Sequence, residues 1–320
     1  MSSTTDNKLN IFVIGGTGFI GNHLLKMLSV KGVTVKVLSR DSKKVNPSIG
    51  NIRFVVGDLQ NVDSLIEFFE PGSVVINLAY LSSKSKQENL EVIHNLALAC
   101  REVGVARLVH CSTAVVVGNS RDNVITEDTI CQPLTEYEKT KLEIENVLID
   151  SLKDKTEVAI IRPTAVFGKH GKNLIKIADD LLSIPPIITS LKTALFYNRR
   201  LNLVCVENVV SAILFLMQIN DQMDGERFIV SDDDEIENNY YDIINLLANH
   251  FGHKPVKAFY IPYRYHILRM LLTASKRSNV NANRNYSSNK LFNLGFKKSI
   301  QFREGIRQFA TWYQQTKIRN

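Results

Sequence analysis

The sequence predicts an α/β fold: a Rossmann doubly wound parallel sheet with a smaller, mostly helical C-terminal substrate domain. Three observations predict it. The stretch Asn10-Ile-Phe-Val-Ile-Gly-Gly-Thr-Gly-Phe-Ile-Gly21 passes from a short apolar run, through glycines spaced by three, into an amphipathic helix beginning near His23. Apolar strand patterns then alternate with helical patterns as far as residue 161, which requires parallel strands joined by crossover helices. Right-handed crossovers fix the order to the dinucleotide-binding type.

Each element has its own signal. Ile11–Ile14 is a buried apolar strand. Val33–Leu38 alternates and stops at Ser39-Arg40-Asp41, and Ile52–Val56 closes at Gly57-Asp58-Leu59. A short helix over 62–69 ends at Pro71-Gly72, and Ser73–Ala79 is the fourth strand. A helix over 87–103, a strand over 106–112, a helix over 136–152 and a strand over 157–161 complete the alternation. After Gly168 the pattern loosens. Ser183–Thr189 reads as a Pro-containing apolar loop or short strand, 201–206 as a strand, 207–218 as a helix and 227–230 as a short strand. The acidic run Asp232–Glu235 reads as a solvated loop, and 239–251, 262–275 and 302–316 as helices. The expected division is a dinucleotide-binding domain over 1–168 and a substrate-binding region over 169–320, with segments such as 201–218 returning to the core.

Composition sets limits. The chain has 320 residues, 44% hydrophobic and 22% charged, as a globular protein does. Four cysteines (Cys100, Cys111, Cys131, Cys205) have no paired spacing, so neither a zinc site nor a disulfide framework is expected and a reducing, cytoplasmic setting is. Met1–Lys8 lacks the apolar core of a signal peptide, and no run of 18 apolar residues exists to cross a membrane. His23, His110 and His266 do not cluster, and no metal is expected. The net charge of +7 suits a polyanionic small molecule and is too mild to argue for nucleic acid.

The glycines and the pair Tyr137/Lys141 carry the chemistry. Gly15 permits a tight turn, Gly18 lets backbone approach a pyrophosphate, and Gly21 lets helix pack on strand. The helix start beyond them offers free N–H groups and a positive dipole end to phosphates. Tyr137 and Lys141 stand four residues apart, which puts both on one helix face. A neighbouring ammonium lowers a phenol's pKa from about 10, so the tyrosine can exchange a proton with a carbonyl or hydroxyl near neutral pH. Thr113 closes the fifth strand, where a hydroxyl can hydrogen-bond a substrate oxygen as it gains charge; Ser112 beside it reads as structural.

These motifs occur in one order: Gly-Gly-Thr-Gly-Phe-Ile-Gly21, Gly57-Asp58-Leu59, Asn77-Leu-Ala79, Ser112-Thr113, Tyr137-x-x-x-Lys141, Arg162-Pro163-Thr-Ala-Val-Phe-Gly168, Val206-Glu207-Asn208-Val209 and Leu294-Gly295-Phe296. Together they resemble the extended short-chain dehydrogenase/reductase family, especially its NAD-dependent epimerase/dehydratase, nucleotide-sugar branch, over nearly the whole chain. The resemblance implies that Tyr137 is the general acid/base, that Lys141 tunes it and holds the nicotinamide ribose, and that Thr113 aligns the substrate oxygen. It implies cofactor contacts from Gly15, Thr17, Gly18, Phe19, Ile20 and Gly21, from Asp58 and Leu59 at the adenine, from Ala79 in the cleft, and from Pro163 and Thr164 beside the nicotinamide. A homodimer through a four-helix interface is a common family assembly. Departures from the family pattern are Val117 where a tyrosine is frequent, Asn77 and Tyr80 where His and Ala are frequent, and Leu201 where an arginine is frequent.

NAD requires a carboxylate at the end of the second strand, about 20 residues past the glycines. Arg40 stands there, which suits the 2′-phosphate of NADP(H). Asp41, one residue on, keeps NAD(H) as the alternative. Arg200 and Arg284 are the candidates for a second pyrophosphate, that of a nucleotide sugar. The aromatic, basic segment 259–272 reads as core or pocket cover, with base stacking and a membrane surface as its other readings. The expected activity is NAD(P)-dependent oxidoreduction at C4 of a nucleotide-activated sugar, as a 4-keto-sugar reductase in surface polysaccharide precursor synthesis. The alternatives are a nucleotide-sugar 4-epimerase, a steroid or phenolic ketone reductase, and a non-catalytic nucleotide-binding regulator. A dehydratase is disfavoured, because Ala114-Val115 follows Thr113 where dehydratases carry an Asp-Glu pair.

Overall fold

The computed structural model describes residues 10–40, 50–274 and 280–319. Its elements are β1 (Ile11–Ile14), α1 (Phe19–Val30), β2 (Val35–Ser39), β3 (Ile52–Val56), α2 (Val62–Phe68), β4 (Val74–Asn77), α3 (Lys86–Val103), β5 (Arg107–Cys111), β6 (Val124–Ile125), α4 (Glu136–Leu152) and β7 (Glu157–Pro163). They continue with β8 (Ala165–Phe167), α5 (Ile175–Ser183), α6 (Pro186–Phe196), β9 (Leu203–Cys205), α7 (Val206–Gln218), β10 (Asp224–Val230), α8 (Tyr240–His250), α9 (Arg264–Ala274), β11 (Asn285–Tyr286), α10 (Asn289–Asn293) and α11 (Phe302–Arg319).

The main sheet has seven strands in the order β3-β2-β1-β4-β5-β7-β10. The pairs from β3 through β7 are all parallel. This is the doubly wound arrangement, with its switch point between β1 and β4. β1, β4 and β5 are buried along their whole length, as central parallel strands must be. Phe12 on β1 meets Phe68 and Phe69 edge to face, with ring centroids 5.1 and 5.8 Å away. Helix α3 starts at a capping box, in which Ser85 Oγ accepts from the Glu88 N–H and the Glu88 carboxylate accepts from the Ser85 N–H. It stops at Gly104, whose φ of 76° is left-handed.

The chain forms two compact units, Met1–Ser112 with Thr140–Ile161 and Ile213–Arg227, and Thr113–Lys139 with Arg162–Ala212 and Phe228–Asn320. The units interleave in sequence, whereas the expected division is one boundary at residue 168. In the second unit β8 pairs with β9, and β6 with β11. The segment expected to return to the core is thus split: β9 stays with β8, and the chain from Ile213 joins the first unit.

Two expectations for the second half are corrected. Residues 186–196 are a helix rather than the expected loop or strand, because Pro186 occupies the first turn, where a missing N–H costs nothing and φ is already helical. Asp232 and Asp233 are wholly buried rather than solvated. Asp232 accepts from the Cys205 N–H at 2.8 Å and pairs with Lys298 at 3.1 Å. Asp233 accepts from the Tyr286 N–H, Asn202 Nδ2 and Asn238 Nδ2. The two carboxyls tie β9 and β11 together by satisfying backbone donors that strand pairing leaves over.

Burial pushes the Asp233 carboxyl up to about 6, with its hydrogen bonds opposing the shift. Folding therefore favours its protonated form. The penalty for ionising it is absent below the ordinary value of 3.8 and complete above about 6. Relative to Asp233→Asn, the native chain should lose about 3 kcal/mol of stability between about pH 4 and pH 7. Denaturant unfolding of both proteins across that range checks this.

Candidate active site

The glycine turn between β1 and α1 is built for close approach. Gly15 has φ of +79°, and a Cβ there would stand 2.9 Å from Ala79 N and Leu78 C. At Gly21 a Cβ would stand 2.4 Å from Gly15 O. Neither position admits a side chain without moving backbone, which holds the turn against the end of β4. No side chain caps α1 at Gly18, so its first N–H groups stay open to a ligand.

Beside this turn lies a cavity of about 250 Å³ within the first unit. It gathers Gly15, Thr17, Gly18, Arg40, Asp58, Leu59 and Ala79 of the expected cofactor set. Ser39, Gln60, Tyr80 and Lys84 also line it, and no sequence motif marks these four as cofactor contacts. Phe19, Ile20 and Gly21 lie in the first turn of α1 outside the lining, with Gly21 buried. Pro163 and Thr164 are buried at the end of β7, where the Thr164 N–H donates to Val230 O at 3.0 Å. Asp41 lies outside the described residues. A turn that excludes Cβ atoms, an open helix N-terminus and a strand-end arginine fit a dinucleotide pyrophosphate and its ribose.

Tyr137 and Lys141 fall on one helix, α4, one turn apart. Tyr137 is 42% exposed, whereas Lys141 is buried. The Lys141 Nζ donates to Cys111 O at 3.3 Å and lies 4.7 Å from the Tyr80 ring centroid. Burial holds the ammonium's pKa below the usual lysine value, with Cys111 and Glu145 opposing that shift. Tyr80, a departure from the family pattern, thus contributes its π face to the Lys141 ammonium. Another turn along α4, Glu145 is fully buried; its carboxylate accepts from Ser112 Oγ at 2.5 Å and from Arg227 Nε at 3.1 Å. That pair fixes the end of β5 to α4, so Ser112 is structural. Its signal in the sequence was a glutamate two turns from Tyr137.

Thr113 follows directly. Its Oγ1 accepts from the Val115 N–H at 3.4 Å at the head of a short 3-10 helix, Ala114–Val117. An accepting hydroxyl keeps its own proton to donate. Asn77 replaces the frequent histidine. It donates to His110 Nδ1 at 3.1 Å and accepts from the Ala79 N–H at 3.0 Å, which holds the cavity's β4 edge. His110 is fully buried, and burial, helped by Lys141, drives its pKa well below the usual value and keeps it neutral.

Arg200 Nη1 donates to the carbonyls of Glu235 and Ile236, and Arg284, fully buried, donates from Nη1 and Nη2 to the carbonyls of Gly118 and Ser120. Both arginines are held by backbone carbonyls of the second unit. Arg284 also lines a separate cavity of about 570 Å³, with Arg121, Arg269, Asn119, Asn281 and Asn283. Among the described residues no cluster of His, Cys, Asp or Glu is arranged to hold a metal.

A doubly wound sheet with a glycine-turn cavity and a Tyr-x-x-x-Lys helix defines a nucleotide-dependent oxidoreductase fold. The sequence profile of the NAD dependent epimerase/dehydratase family matches residues 11–231, and the chain belongs to that family of enzymes. It is 32% identical over 179 residues to the mouse sterol-4-alpha-carboxylate 3-dehydrogenase (decarboxylating), covering 52% of this chain and 49% of that one. It is 26% identical over 196 residues to the UDP-glucose 4-epimerase of Bacillus subtilis (strain 168), covering 55% and 57%. Each match thus spans about half the length of the relative. The fold is similar to that of MoeE5 in complex with UDP-glucose and NAD, with a TM-score of 0.69 and 22% identity, covering 96% of this chain and 99% of that one.

Proposed function

We propose that the protein is an NADP(H)-dependent oxidoreductase that interconverts a ring ketone and its secondary alcohol. The observation that carries this reading is Tyr137 one helical turn from the buried ammonium of Lys141. Bound NADP(H) supplies or accepts the hydride. Tyr137, activated by Lys141, protonates the ketone oxygen, and Thr113 donates a hydrogen bond to the same oxygen as charge builds on it. In the reverse direction the Tyr137 phenolate takes the hydroxyl proton. Glu145 and Tyr80 keep Lys141 and the end of β5 in place for both.

The substrate reading we favour is an apolar polycyclic ketone or alcohol. The expectation of a 4-keto nucleotide sugar comes from the family resemblance, and the two candidate ligands for its pyrophosphate, Arg200 and Arg284, already donate to backbone carbonyls. The similarity to a sterol dehydrogenase supports the same direction. Reduction at C4 of a nucleotide-activated sugar is the second reading. It is favoured by the 570 Å³ cavity, whose Arg121 and Arg269 are cations that a pyrophosphate would suit, and by the similarity to a UDP-glucose 4-epimerase.

Turnover of NADPH against a panel of steroid ketones, aromatic ketones and 4-keto nucleotide sugars decides between them. Tyr137→Phe should lower kcat with the accepted substrate by about 10²–10⁴-fold, and unchanged turnover in that variant removes the mechanism. Oxidation of NADPH with neither class removes both reductase readings and leaves the 4-epimerase, which regenerates its cofactor in each turnover, and the regulator.

The preference for NADP(H) rests on Arg40, exposed at the rim of the cofactor cavity beside Ser39. Arg40→Asp should weaken NADPH binding about tenfold or more, the scale of one lost charge-assisted hydrogen bond, and should tighten NADH. Fluorescence titration with both nucleotides measures it; equal affinities in the native protein contradict the assignment.

A further inference from the structure

Helix α9 buries only one of its two apolar faces. Leu268 and Leu272, one turn apart, are covered. Tyr263 just before the helix, Ile267 and Met270 follow at steps of four and three residues and are 80%, 42% and 73% exposed. Those steps form a second stripe along one side of the helix. Phe259 and Tyr260, both exposed, precede it in the chain. The segment expected to pack as core or pocket cover therefore presents aromatic and aliphatic side chains to solvent. Contiguous apolar exposure of this kind marks an interaction surface.

Charge identifies the partner. Residues 243–303 hold eleven of the chain's 39 Lys and Arg and none of its 32 Asp and Glu; Arg284 is buried, and Lys298 and Arg303 pair with Asp232, Asp234 and Glu237. Lys254, Lys257 and Arg269 from this region are exposed. A second copy of this chain would bring the same positive charge to the stripe, and like charges oppose that pairing. Nucleic acid would meet the cations but gain little from Ile267 and Met270. An anionic bilayer satisfies both features: its headgroups attract the cations, and its interface accepts tyrosine rings and short aliphatic side chains. Eleven residues of helix extend about 16 Å, and no described helix is long and apolar enough to cross a membrane. The segment would lie along the surface.

We propose that α9, with the stretch from Phe259 leading into it, is a docking surface for anionic lipid bilayers, seated by Tyr263, Ile267 and Met270, with the exposed cations Lys254, Lys257 and Arg269 in the same stretch of chain. It rests on the apolar stripe and on Lys254 and Lys257 even where Arg269 serves the second substrate reading.

Co-sedimentation of the full chain with vesicles of phosphatidylcholine alone and of phosphatidylcholine with phosphatidylserine tests it. The protein should bind the mixed vesicles at least about tenfold more tightly than neutral ones, as expected where three cations each contribute about 1 kcal/mol near an anionic surface, and raised salt should reduce the binding. The double variant Ile267→Glu/Met270→Glu should lose about tenfold or more of the binding, with its thermal midpoint and nucleotide affinity unchanged. Failure to bind mixed vesicles overturns the proposal, as does equal binding to both vesicle types or undiminished binding by the variant. Two further results assign the stripe elsewhere: a dimer in sedimentation velocity that the variant abolishes without vesicle binding, or binding to a DNA duplex that the variant abolishes.

Discussion

At Gly15 the backbone turns with a positive φ against Leu78 and Ala79, and at Gly21 the first turn of α1 presses on Gly15 O. A methyl group at either place would overlap backbone atoms. That exclusion brings the end of β1, the end of β4 and the start of α1 together, and the cavity is the space beside their meeting. Its remaining lining residues are placed by elements that follow from it. β2 delivers Ser39 and Arg40 on one side, while the turn after β3 delivers Asp58 and Leu59. Asn77 holds the β4 edge through the Ala79 N–H.

A second layer of constraint is electrostatic. Lys141 and Glu145 both leave water on the inner side of α4, and each has a defined partner: Cys111 O and the Tyr80 ring for the ammonium, Ser112 and Arg227 for the carboxylate. Buried charges are costly unless satisfied. Their pairing fixes how α4 sits on β5. Arg107 acts similarly at the far end of β5, donating to Glu157 and to the carbonyls of Leu216, Ile219 and Asp221.

The sheet was legible because its strands are buried on both faces and its punctuation is strong. Gly57-Asp58 and Pro71-Gly72 end elements where the sequence says they should. The glycine turn was legible because steric need names the residue type. The second unit was harder to read. Asp232 and Asp233 look solvated in sequence, since nothing local reveals the backbone donors of Cys205 and Tyr286 that they satisfy. Pro185-Pro186 suggested a loop, although proline is favoured in a first helical turn. Arg284 looked like a ligand for phosphate, but its partners lie at Gly118 and Ser120, more than 160 residues earlier. Tyr80 stood out only as a departure, and its role depends on the fold that brings α4 across the end of β4.

The proposed reaction turns on direct hydride transfer to a carbonyl carbon whose oxygen Tyr137 protonates. NADPH carrying deuterium at nicotinamide C4, incubated with the ketone that the protein accepts, tests this through mass spectrometry and NMR of the alcohol product. Direct transfer places one deuterium on the carbinol carbon, delivered to a single face, when the label occupies one of the two prochiral positions. Product that carries no label from either position, or label lost to solvent, contradicts it.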